Sequence, residues 1–137
     1  MSDHVTRKEF LTAGAAIVAT ASAIGFVRPA LAEEKDALYQ TAELGFDPAK
    51  KDEVVALLKM LTSAVEEKEP GVLAYIAHLT EETESKVFFY EVYKDAATLA
   101  AHGTTPHLGE MRKAFTSGVL KAPLTIRKMA RVGGYSR

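Results

Sequence analysis

The sequence predicts a single α+β domain with the element order β-α-β-β-α-β. Three observations carry that prediction. Val54, Leu57, Leu58, Leu61 and Val65 recur at steps of three and four, the apolar stripe of an amphipathic helix. The run KVFFYEVYK, residues 86–94, is dense in aromatic and β-branched residues, the composition of a strand. Asp-Pro at 47–48, Pro-Gly at 70–71 and Gly-Thr-Thr-Pro at 103–106 then punctuate the chain where elements must end or begin.

The elements follow in order. ALYQTAELGF, residues 37–46, reads as the first strand. Asp47 is an N-cap and Pro48 a first helical position, so the first helix runs over 49–69, with Lys and Glu on its outer face and Pro70-Gly71 as its stop. VLAYIAHLT (72–80) is the second strand, EETES (81–85) a polar hairpin connection and 86–94 the third strand. Asp95 caps a short helix over 96–102, which Gly103 terminates. Thr105 and Pro106 open another helix over 107–120, and APLTIRKMARV (122–132) closes as the fourth strand. With the second helix broken at Gly-Thr-Thr-Pro, this is the ferredoxin-like order: one antiparallel sheet with its helices on one face. Alternation in the third strand places Val87, Phe89, Glu91 and Tyr93 on one face and Phe88, Tyr90 and Val92 on the other. An uncovered apolar sheet face is an association hazard, and pairing two copies sheet on sheet resolves it, so a homodimer is expected.

Residues 1–32 differ from the rest. A polar start with Arg7 and Lys8 leads into the uncharged, alanine-rich run 11–27, and Ala30-Leu31-Ala32 supplies a small-residue cleavage pattern. This is the order of a secretory signal peptide, with cleavage expected after Ala32, export to the periplasm, and no membrane association once the leader is removed. Thr6 to Leu11, TRKEFL, resembles the twin-arginine export motif with Lys8 in place of the second arginine. An uncleaved anchor is the alternative, although the run is short for a bilayer span and holds Gly14 and Gly25. The domain is then 33–137, with a core of 37–132. It has no cysteine and therefore no disulfide to hold it. Without the leader's three basic and two acidic residues it carries 14 basic and 16 acidic ones, a balance that gives no electrostatic basis for nucleic-acid binding.

Several residues are candidates for chemistry. Glu91 is a carboxylate in the middle of the most apolar strand, which requires a partner. It is either an acid/base group in a cleft or a buried structural partner for a histidine or an amide. His102 ends the short helix and, turned inward, would meet Glu91 as a proton relay; otherwise it is a capping histidine beside Gly103. His107 lies in the first turn of the next helix, where free amides favour an oxyanion-stabilising role, or it is a surface residue. Tyr75, Phe89 and Tyr93 line an aromatic pocket or belong to the core. His78 alternates away from Tyr75 and reads as exposed. A metal site is not expected: His102 and His107 are five apart across a helix break, and the carboxylate nearest in sequence is Glu110. No phosphate loop, dinucleotide fingerprint or serine-nucleophile elbow is present in the sequence.

Glu69-Pro70-Gly71, Tyr75, Tyr90-Glu91, Tyr93, Asp95, Ala97, His102, Thr105 and His107, in that order over 69–115, resemble the antibiotic biosynthesis monooxygenase (ABM) family. The resemblance implies a dimeric α+β barrel of the quinol monooxygenase type. The family and its barrel relatives include cofactor-free oxygenases of quinols and polyphenols, haem-degrading proteins and isomerases. The expected activity is oxygenation of a small aromatic substrate by O₂ without a cofactor. His102 would be the base and Glu91 its orienter, Tyr75 or Tyr93 would hydrogen-bond the substrate oxygen, and Phe89 would pack on its ring. The alternatives are a haem-binding or haem-degrading protein with His102 or His78 as axial ligand, and a non-enzymatic small-ligand-binding module.

Overall fold

The computed structural model describes residues 35–81 and 85–135. The expected leader, and part of the hairpin connection at 82–84, lie outside the described residues. Strand β1 spans Leu38–Phe46. After a single 3₁₀ turn at Pro48–Lys50 come helix α1 (Lys51–Lys68), strands β2 (Val72–Leu79) and β3 (Lys86–Tyr93), helices α2 (Ala96–His102) and α3 (Pro106–Thr116), and strand β4 (Leu120–Met129). The strands form one antiparallel sheet in the order β2-β3-β1-β4. This is the ferredoxin-like α+β fold. Among the described residues no helix is long and apolar enough to cross a membrane.

The local chemistry accounts for the boundaries. The Asp47 carboxylate accepts from the Ala49 amide at 3.0 Å, and Pro48, which has no N–H to satisfy, occupies the first turn. Asp95 caps α2, accepting from the Thr98 amide at 2.7 Å and from its hydroxyl at 2.8 Å. The closing helix ends earlier than the apolar pattern suggests, at Thr116, because Gly118 takes φ 78° and turns the chain into β4. Gly103 follows α2 as expected but keeps a right-handed φ of −58°, so the stop does not use glycine's access to positive φ. Chain reversal there rests on hydrogen bonds instead: the Thr104 and Thr105 amides donate to the carbonyls of Ala101 and His102.

α1 presents Val54, Leu58, Leu61 and Val65 to the sheet, with Leu57 packed at the margin. Val54, Leu58 and Leu61 join one core cluster with Ala42, Leu44 and Phe46 of β1, Val87 and Phe89 of β3, Met111 of α3 and Leu120 of β4. Each such side chain contributes roughly 1.5–3 kcal/mol on full burial, which makes this one layer the main stabilising element of a domain without disulfides. Alternation in β3 holds from Val87 to Glu91, with Phe88 and Tyr90 half-buried on the open face. It then lapses: Val92, expected on the open face, is as fully buried as Tyr93. The β2–β3 ladder shifts at this end, between Val72 and Ala74. In β4 only Leu120 is buried, while Leu124, Ile126 and Met129 remain exposed. Its ladder with β1 shifts between Glu43 and Gly45, and Pro123 falls in that irregular stretch of an edge strand, where a missing N–H costs no ladder bond.

Candidate functional site

Two polar clusters lie side by side at the end of the sheet where β1 begins and β3 ends. The first is on the strands. β2, β3 and β1 place Tyr75, Glu91 and Gln40 in one cross-strand row on the helix-bearing face. Glu91 is 5% exposed, and its Oε2 accepts from Gln40 Nε2 at 2.6 Å and from the Tyr93 hydroxyl at 2.8 Å. A carboxylate in this position is tolerated because its oxygen is satisfied by two donors from the sheet itself.

The second cluster is built from helix ends. Glu69 is the C-cap of α1; its amide donates to the Val65 carbonyl and its carbonyl accepts from the Val72 amide, so Pro70-Gly71 turns the chain directly into β2. His102 is the last residue of α2, and His107 sits in the first turn of α3. Both imidazoles point inward and are buried. His102 Nδ1 lies 2.9 and 3.1 Å from the two oxygens of Glu69, and Glu69 Oε1 is also the partner of His107 Nε2. With Glu69 as an acceptor-only carboxylate, Nδ1 of His102 and Nε2 of His107 are the hydrogen-bearing nitrogens.

His102 joins the clusters. Its ring centroid stands 5.1 Å from that of Tyr75 and 5.3 Å from that of Tyr93, tilted 57° and 59°. Tyr75 stacks in turn on Phe89, 5.2 Å away. Both phenols are driven well above the ordinary tyrosine range, first by burial and then by the nearby Glu91 charge; for Tyr93 the hydrogen bond to Glu91 adds to this. They therefore act as neutral O–H groups.

The structure rearranges the expected partnerships. Glu91 does not orient His102: Glu69 does, and Glu91 is engaged by Gln40 and Tyr93. His102 and His107, at opposite helix ends, converge on one carboxylate, and His107 is buried rather than a surface residue. Glu110 takes no part, since it faces outward and pairs with Lys113 at 2.6 Å. Phe89 is fully buried in the main core as well as against Tyr75. His78 is exposed on the opposite sheet face, as alternation predicts, with its ring 6.3 Å from that of Phe88. A depression of about 150 Å³ between Phe46, Leu79 and Ser85 lies at the other end of the sheet and is lined by none of these residues.

Glu69 and Gln40 are the members that sequence reasoning missed as site residues. A signal for Glu69 does exist: the buried series Val54, Leu58, Leu61, Val65 continues by a step of four onto residue 69, so a carboxylate falls where the stripe calls for a buried side chain. Gln40 has a comparable signal, a polar residue alternating in phase with Ala42 and Leu44.

A sheet with helices on one face, carrying a buried carboxylate–histidine cluster, defines a small α+β domain with an interior polar site. Residues 37–114 match the family model described as antibiotic biosynthesis monooxygenase, and this chain belongs to that family. Solved structures agree with the fold. One named as an antibiotic biosynthesis monooxygenase is 24% identical, with a TM-score of 0.62 over 70% of this chain and 99% of that one. PA3566 from Pseudomonas aeruginosa is 21% identical, with a TM-score of 0.63 over 74% and 99%. Rv0793 from Mycobacterium tuberculosis is 18% identical, with a TM-score of 0.61 over 72% and 98%. No curated protein matches the chain.

Proposed function

We propose that this protein is a cofactor-independent monooxygenase of a quinol or polyphenol-type aromatic substrate. The observation that carries the reading is the half-buried Glu69 carboxylate bridging the buried His102 and His107, with the His102 ring beside two neutral phenols. Family membership supports a monooxygenase-like activity. Glu69 holds Nδ1 of His102 in its hydrogen-bearing form, which leaves Nε2 with the lone pair; this is the logic by which a carboxylate orients a catalytic imidazole. That nitrogen takes a phenolic proton from the substrate, and the electron-rich anion reacts with O₂. One oxygen atom enters the ring and the other leaves as water, with all four electrons drawn from the substrate, so a quinol ends as a hydroxyquinone. Tyr75 remains protonated and donates to a substrate oxygen, while Tyr93, whose one proton is given to Glu91, packs its ring beside His102. Glu91, held by Gln40, fixes the Tyr93 hydroxyl.

In this reading the open sheet face, with Phe88, Tyr90 and the 48%-exposed Ile76, pairs two copies, and the leader directs the protein to the periplasm. The test is oxygen uptake by the purified protein under air with a panel of hydroquinones. Turnover lost in His102→Ala supports the proposal. Wild-type uptake no faster than the buffer rate across the panel contradicts it.

A further inference from the structure

We propose that Glu69, His102 and His107 form a binding site for a divalent first-row transition-metal ion, held through a Glu69 oxygen, Nδ1 of His102 and Nε2 of His107. One ligand atom from each residue lies within 4.8 Å of the others. Ligands at roughly 2.0–2.2 Å from such an ion stand about 2.9–3.5 Å from one another in tetrahedral or octahedral arrangements. The 2.9 and 3.1 Å separations between His102 Nδ1 and the Glu69 oxygens fall in that range. Entry of an ion requires each ligating nitrogen to pass its hydrogen to the other nitrogen of its ring and the Glu69–His107 contact to open.

The donor set also selects the class of ion. Two imidazoles and one carboxylate suit zinc, iron, cobalt, nickel or copper. Calcium and magnesium prefer oxygen ligands, of which this cluster offers few. A cation placed here would stand directly against the Glu69 carboxylate, whose side chain is only 9% exposed. Three protein ligands leave coordination positions open, the pattern of exchangeable rather than closed structural sites. The ligands are also firmly placed. Glu69 is pinned by backbone bonds at the α1–β2 turn, and the carbonyl of His102 accepts from the Thr105 hydroxyl at 2.9 Å.

This inference goes beyond the oxygenase reading, in which the same three residues handle protons and an ion would occupy them instead. The test is a titration of the metal-free full chain with Co(II), followed by its visible absorption and by calorimetry. One ion per chain is expected, with affinity reduced at least ~10-fold in His102→Ala and in His107→Ala and unchanged in His78→Ala. Absence of a saturable Co(II) spectrum in the wild-type protein overturns the proposal without reference to any variant, as does undiminished affinity in His107→Ala. Because the readout is binding, a protein inactive on every hydroquinone leaves the metal site standing. An active protein that takes no metal removes the site alone.

Discussion

Glu69 and His102 are 33 residues apart in the chain, yet the Glu69 carboxylate sits 2.9 Å from Nδ1 of His102. Both stand at helix ends; His102 is buried, the Glu69 side chain is only 9% exposed, and the turns that follow them are tied down by backbone hydrogen bonds. The polar site is therefore a product of how α1 and α2 end, and its integrity depends on the two turns.

The first turn is sensitive to volume. A Cβ added at Gly71 would stand 2.8 Å from both Cγ2 and Oγ1 of Thr98, and Thr98 is held by its hydroxyl bond to Asp95. Gly71→Ala is expected to destabilise the fold by about 1–3 kcal/mol. In a Thr98→Ala background the same substitution should cost much less. Urea unfolding of the four proteins in the cycle measures that coupling, and strict additivity would show that the close approach is relieved elsewhere.

Tyr93 offers a second test. Its hydroxyl is one of two donors to a buried carboxylate oxygen. Tyr93→Phe keeps the ring and removes the donor, and is expected to cost about 1–3 kcal/mol of stability. A chemical-denaturation midpoint equal to that of the wild type would mean that Glu91 finds another partner.

The cap of α2 makes a prediction about pH. Hydrogen bonds from Thr98 hold the Asp95 carboxyl below its ordinary value of 3.8. A carboxylate with a depressed folded-state value binds fewer protons when folded than when unfolded. Its contribution is thus complete above that ordinary value and is lost as pH falls through the lower folded value. The melting-temperature gap between wild type and Asp95→Ala should accordingly be constant near neutrality and close under strongly acid conditions. A gap that widens on acidification would contradict the assignment.

The architecture was largely legible in the sequence because its signals are local. The stripe of α1, the β-branched run of β3 and the caps at Asp47 and Asp95 are each readable within a few residues. The site was legible only in part. Its histidines and tyrosines stand out in the sequence, but the neighbouring elements point to Glu91 as the partner of His102. The actual partner, Glu69, comes from the far end of α1, and pairing across 33 residues is fixed by tertiary packing rather than by spacing. The burial of Val92 has a similar origin: alternation assigns a side chain to a face, and whether that face is covered is decided by tertiary packing.

The most direct test of the account is the rate of oxygen uptake with a reactive hydroquinone in Glu69→Gln, compared with wild type. The substitution preserves shape and removes the carboxylate that orients His102. A fall of roughly 10²–10⁴ in kcat, with the circular dichroism spectrum unchanged, is the predicted result. A folded Glu69→Gln protein that turns over at the wild-type rate would contradict the central claim that the Glu69–His102–His107 cluster carries the chemistry.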